Sequence, residues 1–377
     1  MTYALPCPPE RALLAEAASR FARDHSPVEA LRTSDVGAPA PGGYHRAAGE
    51  LGWFAMLVPA ELGGGSVSES PLADVVAIAV ERGANLQPGP FTAMNVVAES
   101  LGLAGSALQR EEVLPALVEG RRTATWAVTD GCGRWAPGAA VSYAVDGDAF
   151  VLDGFAVLVE EAATADWVLV QAGSPSGVTI FVVPTATPGL EVAPREGLDV
   201  TRRFGAVRFT GVRVGRSAVV GEPGRGGELA VHQLCVAAVL TAADAVGAMT
   251  RDFGTTLEYA RTRVAFGRPI GSFQAVKHLL ADTSLALEAC QAILAAAADA
   301  YGTPGFTRYV AVAKAYIGDA AITLGQNCLQ VLGGIGYTWE HEHHLYMRRM
   351  TADAFLFGDP GAQRASLWPA YGLGEVA

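Results

Sequence analysis

Apolar positions along the chain change their period twice. Up to about residue 121 they recur at helical spacing: Arg11–Phe21 (RALLAEAASRF), Pro71–Arg82 (PLADVVAIAVER) and Leu108–Val118 each gather apolar residues on one side of a helix. Pro71 suits a first helical position. The glycines at 63–65 and the run Gln87-Pro88-Gly89-Pro90 read as turns. Between about 122 and 221 come short runs rich in β-branched and aromatic residues: Trp126–Thr129, Val141–Val145, Ala149–Leu152, Trp167–Gln171, Val178–Val183 and Ala206–Phe209. Asp146-Gly147-Asp148, between two of these runs, is the clearest hairpin signal. From Gly227 the helical period returns in Leu229–Arg263, Gln274–Tyr301, Arg308–Leu332 and Leu345–Phe357, joined by short loops.

The pattern predicts an α+β multidomain chain. An N-terminal helical domain spans 1–121, a middle antiparallel β domain 122–221, and a C-terminal antiparallel four-helix bundle 222–377. The length, 377 residues, accommodates two or three domains. Half of the residues are hydrophobic and 17% are charged, which supplies a large core and excludes a disordered chain. The net charge of −11 argues against a nucleic-acid partner. The five cysteines (Cys7, Cys132, Cys235, Cys290, Cys328) are scattered and show no CxxC, so neither a disulfide framework nor a zinc site is expected. A reducing, cytoplasmic setting fits them. No uninterrupted apolar run of about 18 residues is found, and Met1–Arg20 lacks a basic start followed by an apolar run. Neither a membrane span nor a secretory signal is therefore expected.

Two strings in the last block carry chemistry. In RTRVAFGRPIGSFQAVKHLLAD, Arg263, Phe266, Gly267, Ile270 and Gln274 stand at fixed spacing. In QVLGGIGY, Gln330 is followed by Gly333, Gly334 and Gly336. An arginine fork and an amide suit a pyrophosphate, and paired glycines let backbone N–H groups approach one closely. With the α, β, α order of the blocks, these strings resemble the acyl-CoA dehydrogenase family over essentially the whole chain. The resemblance implies FAD, shared across a subunit interface. Arg263, Phe266 and Gln274, with Gln330, Gly333 and Gly334, would hold the adenosine-diphosphate end of the FAD bound to a neighbouring subunit.

The same resemblance shows what is missing. The family's reaction needs a carboxylate base beside the flavin, to take the proton next to a thioester carbonyl. The two positions at which members carry that Glu are occupied here by Phe357 and Ala237, with Ala238 beside the latter. The family's T-E-P-x-A-G-S-D string, a flavin and acyl contact within one subunit, corresponds to Thr129-Asp130-Gly131-Cys132-Gly133-Arg134-Trp135. Its W-I-T string corresponds to Phe155-Ala156-Val157-Leu158, and the Thr of E-G-T to Asp359. Features that build a flavin site within one chain are lost, whereas those offered to a neighbour are kept. Neutral decay would be expected to hit both sets alike. The resemblance therefore points to a non-catalytic subunit that completes the FAD site of a catalytic acyl-CoA dehydrogenase partner carrying the Glu. The actinobacterial heterotetramers of steroid side-chain breakdown are such pairs, and the string Tyr337–Arg349 looks like that branch. The substrate at the partner's site would be a bulky acyl-CoA. Two other readings stay open: a flavoenzyme of the same fold with different chemistry, such as an oxygenase or tailoring enzyme, and a homomeric dehydrogenase with a relocated base, Asp359 or Asp130. The fourth, a scaffold that has lost its ligands, sits poorly with the retained strings.

Other candidates read as structural. His341, Glu342, His343 and His344 fall in a solvated or interface-lining turn; adjacent histidines on a helix diverge by about 100°, which is poor geometry for one metal. Asp359 reads as a cap, and Asp244 and Glu258 as the wet face of a helix. Cys132 reads as a small apolar residue, and Leu62–Gly65 as a loop with no phosphate-binding continuation.

Overall fold

A computed structural model describes residues 8–31 and 40–368. Cys7, and with it the first seven residues of the Met1–Arg20 stretch, lies outside the described residues. Seven helices come first: α1 (Pro9–His25), α2 (Val28–Leu31), α3 (Tyr44–Glu50), α4 (Pro71–Ala84), α5 (Phe91–Ala104), α6 (Ala107–Glu112) and α7 (Leu114–Val118). Proline opens α4, as expected. The Leu108–Val118 stretch breaks in two. Ser106 and Gln109 form a capping box that starts α6. Pro115, in the first turn of α7, fits a helix start and not a helix interior.

Eight strands follow: β1 (Ala124–Ala127), β2 (Val141–Asp146), β3 (Ala149–Glu160), β4 (Trp167–Ser174), β5 (Gly177–Pro184), β6 (Leu190–Arg195), β7 (Phe204–Gly215) and β8 (Val219–Val220). They form one sheet in the order β6-β7-β3-β2-β4-β5-β8, with β1 alongside β4. The expected antiparallel domain is in fact mixed, because β4 runs parallel to both β1 and β2. The β2–β3 hairpin closes at Asp146↔Ala149, where the turn signal placed it. Alternate residues of β4 face two cores: Val168 and Val170 pack within the sheet, whereas Leu169 joins the helical core.

The chain then enters α8 (Gly227–Thr262), a small hairpin of β9 (Val264–Ala265) and β10 (Arg268–Pro269), and α9 (Gln274–Asp299), α10 (Phe306–Leu332), α11 (His343–Phe355) and α12 (Pro360–Leu367). The first and last blocks lock together where α4 crosses α8. A Cβ on Gly83 would meet the Asp244 carbonyl oxygen at 1.9 Å, and one on Gly247 the Val80 carbonyl oxygen at 1.9 Å. Only glycine permits that approach.

By length and composition, α8 and α9 are both apolar enough to cross a membrane, where the sequence reading found no span. α8 owes this to its place in the core. α9 buries a single stripe (Thr283, Leu287, Cys290, Leu294, Ala297) against its neighbours. Its other side stays uncovered, with Leu285 72% exposed.

Candidate functional site

The two strings meet on an outward-facing surface. α8 is capped by Arg263, whose carbonyl accepts from the Ile270 N–H at 2.8 Å and closes the base of the β9–β10 hairpin. The hairpin loop is Phe266-Gly267, with φ of +54° and +78°. Glycine and asparagine suit two consecutive positive-φ positions; phenylalanine does not. The strained turn nevertheless holds the Phe266 ring 95% exposed. Phe273 steadies the loop: Phe266 meets it edge-on at 6.2 Å, and the Arg268 guanidinium stacks on it at 4.1 Å. Gln274 begins α9 immediately after. A groove of about 360 Å³ is lined by Phe266, Ile270, Phe273, Val276 and Gln330. Gln330 lies near the end of α10, and Gly333 follows at φ +64°, ψ −143°, a backbone region left to glycine. Nothing lies within 4 Å of a Cβ built on Gly333 or Gly334, so their backbone is open to a ligand. Arg261 pairs with Glu258 at 3.7 Å, whereas Arg263 is exposed and has no ion pair among the described residues.

The inner positions look different. Ala237 is fully buried in the apolar core, as is Ala238. The Phe357 ring, on a backbone at φ +59°, stacks on Trp126 at 5.6 Å and leans on Trp135 at 4.6 Å. Both tryptophans thus pack on Phe357, which stands at one of the two base positions the resemblance assigned, with Trp135 at the end of the 129–135 string. The loop 129–135 folds on itself. Asp130 Oδ1 accepts from the Cys132 and Arg134 N–H groups at 2.9 and 3.0 Å, and Oδ2 from Arg134 Nε at 2.7 Å. These bonds hold its carboxyl below the ordinary range. Asp359 caps α12, accepting from the Gly361 and Ala362 N–H groups at 2.8 and 3.0 Å. Neither aspartate is left free to act as a base.

Sequence reasoning missed a buried charge network between these positions and the sheet. Arg349, fully buried, pairs with Asp199 at 2.7 Å and Asp244 at 3.2 Å. Arg202 reaches Asp353 at 2.6 Å, Asp244 at 3.0 Å and Glu160 at 3.6 Å. Lys314 donates to the Asp353 carbonyl, and burial pulls its ammonium down to about 8. Asp244 is thus no wet-face carboxylate: burial raises it, but Arg349, Arg202 and Arg82 outweigh this and hold it low. Burial pushes Asp353 well above the carboxylate range and Glu160 up to about 7. A cavity of about 600 Å³ flanks the network, lined by Glu161, Arg195, Asp199, Arg202, Arg203 and Phe204. The i, i+4 spacing of Arg349 and Asp353 on α11 was the available signal. The histidine turn needs correcting too: His343 is fully buried and bonds Asp252. No group of three or more metal-ligating side chains occurs among the described residues.

The fold and both strings together define an acyl-CoA dehydrogenase architecture, and the comparisons agree. The profile "Acyl-CoA dehydrogenase, N-terminal domain" matches residues 8–121, and "Acyl-CoA dehydrogenase, C-terminal domain" matches 224–368. The chain belongs to this family of flavoenzymes. It is 30% identical to acyl-CoA dehydrogenase IpdE2 of Mycobacterium tuberculosis, over 94% of each chain. It is 31% identical to the short-chain specific acyl-CoA dehydrogenase of Bos taurus, over 80% of this chain and 76% of that one. Among solved structures, the ChsE4-ChsE5 complex from Mycobacterium tuberculosis superposes with a TM-score of 0.88 at 24% identity, covering 98% of this chain and 99% of that one. That likeness shows the fold.

Proposed function

We propose that this chain is the non-catalytic partner subunit of a heteromeric, FAD-dependent acyl-CoA dehydrogenase that desaturates a bulky acyl-CoA thioester. The observation that carries the reading is the contrast between the two surfaces. Both base positions are apolar and packed, and the carboxylates Asp130, Asp359, Asp244 and Asp353 are each committed to a cap or an ion pair. The outward surface keeps an arginine with no ion pair among the described residues, an exposed aromatic and an open glycine turn. Those residues fit the adenosine-diphosphate end of FAD: Arg263 for the pyrophosphate, Gly333 and Gly334 for close backbone approach, Gln330 and Gln274 for polar edges. The Trp126–Phe357–Trp135 cluster does not fit an isoalloxazine ring in the same chain. The flavin, when bound by the partner, supplies hydride acceptance; this chain orients its nucleotide end. A heteromeric structural relative and two IpdE2 relatives support the reading.

The test is expression of this chain alone and together with a catalytic relative, followed by flavin absorbance per chain and acyl-CoA desaturation. Fewer flavins than chains, and activity only in the pair, is the expected result. A lone chain carrying one FAD per subunit and turning over thioester would overturn it. One observation favours a second reading, a homomeric enzyme with a relocated base: Glu160, half-buried at the end of β3 and 3.6 Å from Arg202, is pushed by desolvation up to about 7, the proton affinity a base needs. Loss of activity in an active homomer on Glu160→Gln would select that reading.

A further inference from the structure

The glycine turn that forms one side of the outward surface is held from below. His343 begins α11 and is fully buried, and its Nδ1 lies 2.8 and 3.0 Å from the two carboxylate oxygens of Asp252 on α8, itself buried. Gly336, the last glycine of the turn, packs on the His343 ring; a Cβ there would lie 3.4 Å from ring Cδ2 and 2.9 Å from a Leu329 methyl. The Cys328 thiol on α10 also reaches Asp252. His343 Nε2 is buried with no hydrogen-bond partner among the described residues, so among them the ring's one polar tie through its nitrogens is the one to α8. Asp252 on α8 and Arg263, the residue that caps its C-terminal end, stand eleven positions apart. At 3.6 residues per turn that is about three turns, which leaves them only about 20° apart around the axis.

We propose that the His343–Asp252 pair is a positioning device for the dinucleotide: it fixes the Gly333–Gly336 turn against α8, in register with Arg263, without touching the ligand. The inference rests on the reading that this chain holds the nucleotide end of FAD. A backbone cradle makes few side-chain contacts of its own, so its affinity depends on where the turn is held. The bond from the Nδ1 side is what counts. Asparagine presents an amide N–H near that position, whereas glutamine, one methylene longer, presents it near Nε2.

The experiment uses the assembled complex stripped of FAD, then titrated with FAD and read by flavin fluorescence, with thermal unfolding recorded for each variant. His343→Gln is expected to weaken FAD binding about tenfold, as a misplaced buried partner does, with kcat at saturating FAD unchanged. His343→Asn and Asp252→Asn, which each keep a bond across the pair, are expected to bind within about twofold of wild type. The proposal is overturned if His343→Gln lowers the unfolding temperature yet binds FAD as wild type does. It is also overturned if His343→Asn or Asp252→Asn loses tenfold, a comparison that stands even where the Gln variant fails to assemble. Arg263→Ala separates the layers. Weakened FAD binding there with none in His343→Gln removes this inference alone; unchanged binding in Arg263→Ala removes the underlying reading and this inference with it.

Discussion

Replacing Phe266 by asparagine should move two measurements in opposite directions. Phe266 and Gly267 occupy the two positive-φ positions of the β9–β10 loop, and asparagine followed by glycine is the pair that such a loop prefers. A left-handed conformation costs an ordinary L residue about 1–2 kcal/mol, and asparagine tolerates it better. The ring is 95% exposed and gives up only its edge contact with Phe273 at 6.2 Å. F266N is therefore expected to stabilise the lone chain by roughly 0.5–1 kcal/mol. In the heteromeric assembly proposed above, the same ring would be covered. Burial of a phenylalanine is worth about 1.5–3 kcal/mol, so its loss should weaken the FAD-bound assembly about ten- to a hundredfold. Urea unfolding of the lone chain at high dilution and FAD titration of the complex read the two effects. A lower urea midpoint, or unchanged affinity in the complex, would refute the claim that backbone strain at this loop is retained for assembly.

Further outcomes follow from the buried groups. Arg349→Leu removes one of the two cations that Asp199 and Asp244 share, leaving Arg202 alone to hold both, and should cost about 3–5 kcal/mol in chemical denaturation. Phe357→Glu restores a carboxylate at one base position but buries it between Trp126 and Trp135; it should destabilise the chain and yield no desaturation on its own. Burial lowers His232, but its 2.8 Å bond to Glu99 and that charge win, leaving it raised. Its contribution is full below the ordinary histidine value near 6.5 and is lost as pH rises through the higher folded value, so His232→Gln should lose more stability at pH 6 than at pH 9. Burial, with Arg82 and Arg203, lowers His45 to about 4. Its contribution is present above about 6.5 and is lost on acidification towards 4, so His45→Gln should blunt the acid limb of the stability profile.

What the sequence revealed followed from whether a signal was contiguous. The long amphipathic helices and the two motif strings were legible because each lies within one stretch of chain. Phe91–Ala104 was missed as a helix because nearly every residue of it is buried, so it has no polar face and no period. Leu190–Arg195 was missed because it is an edge strand, largely exposed and carrying Pro194. Asp244 looked like a solvated carboxylate because its partners, Arg202 and Arg349, arrive from the loop before β7 and from α11. The parallel pairing of β1 and β2 with β4 is likewise set by tertiary arrangement, on which strand composition is silent.

The uncovered side of α9 bears on how a cell must produce this polypeptide. On the proposed reading this side is covered in the assembly, so copies that accumulate without a counterpart are expected to associate through Leu285 and the apolar surface around it and to leave solution. Matched synthesis of both polypeptides, from messages translated side by side, is the regime that avoids such waste. Overexpressed singly, most of the chain should spin down with the insoluble fraction, and co-translation with its counterpart should bring it back into the supernatant.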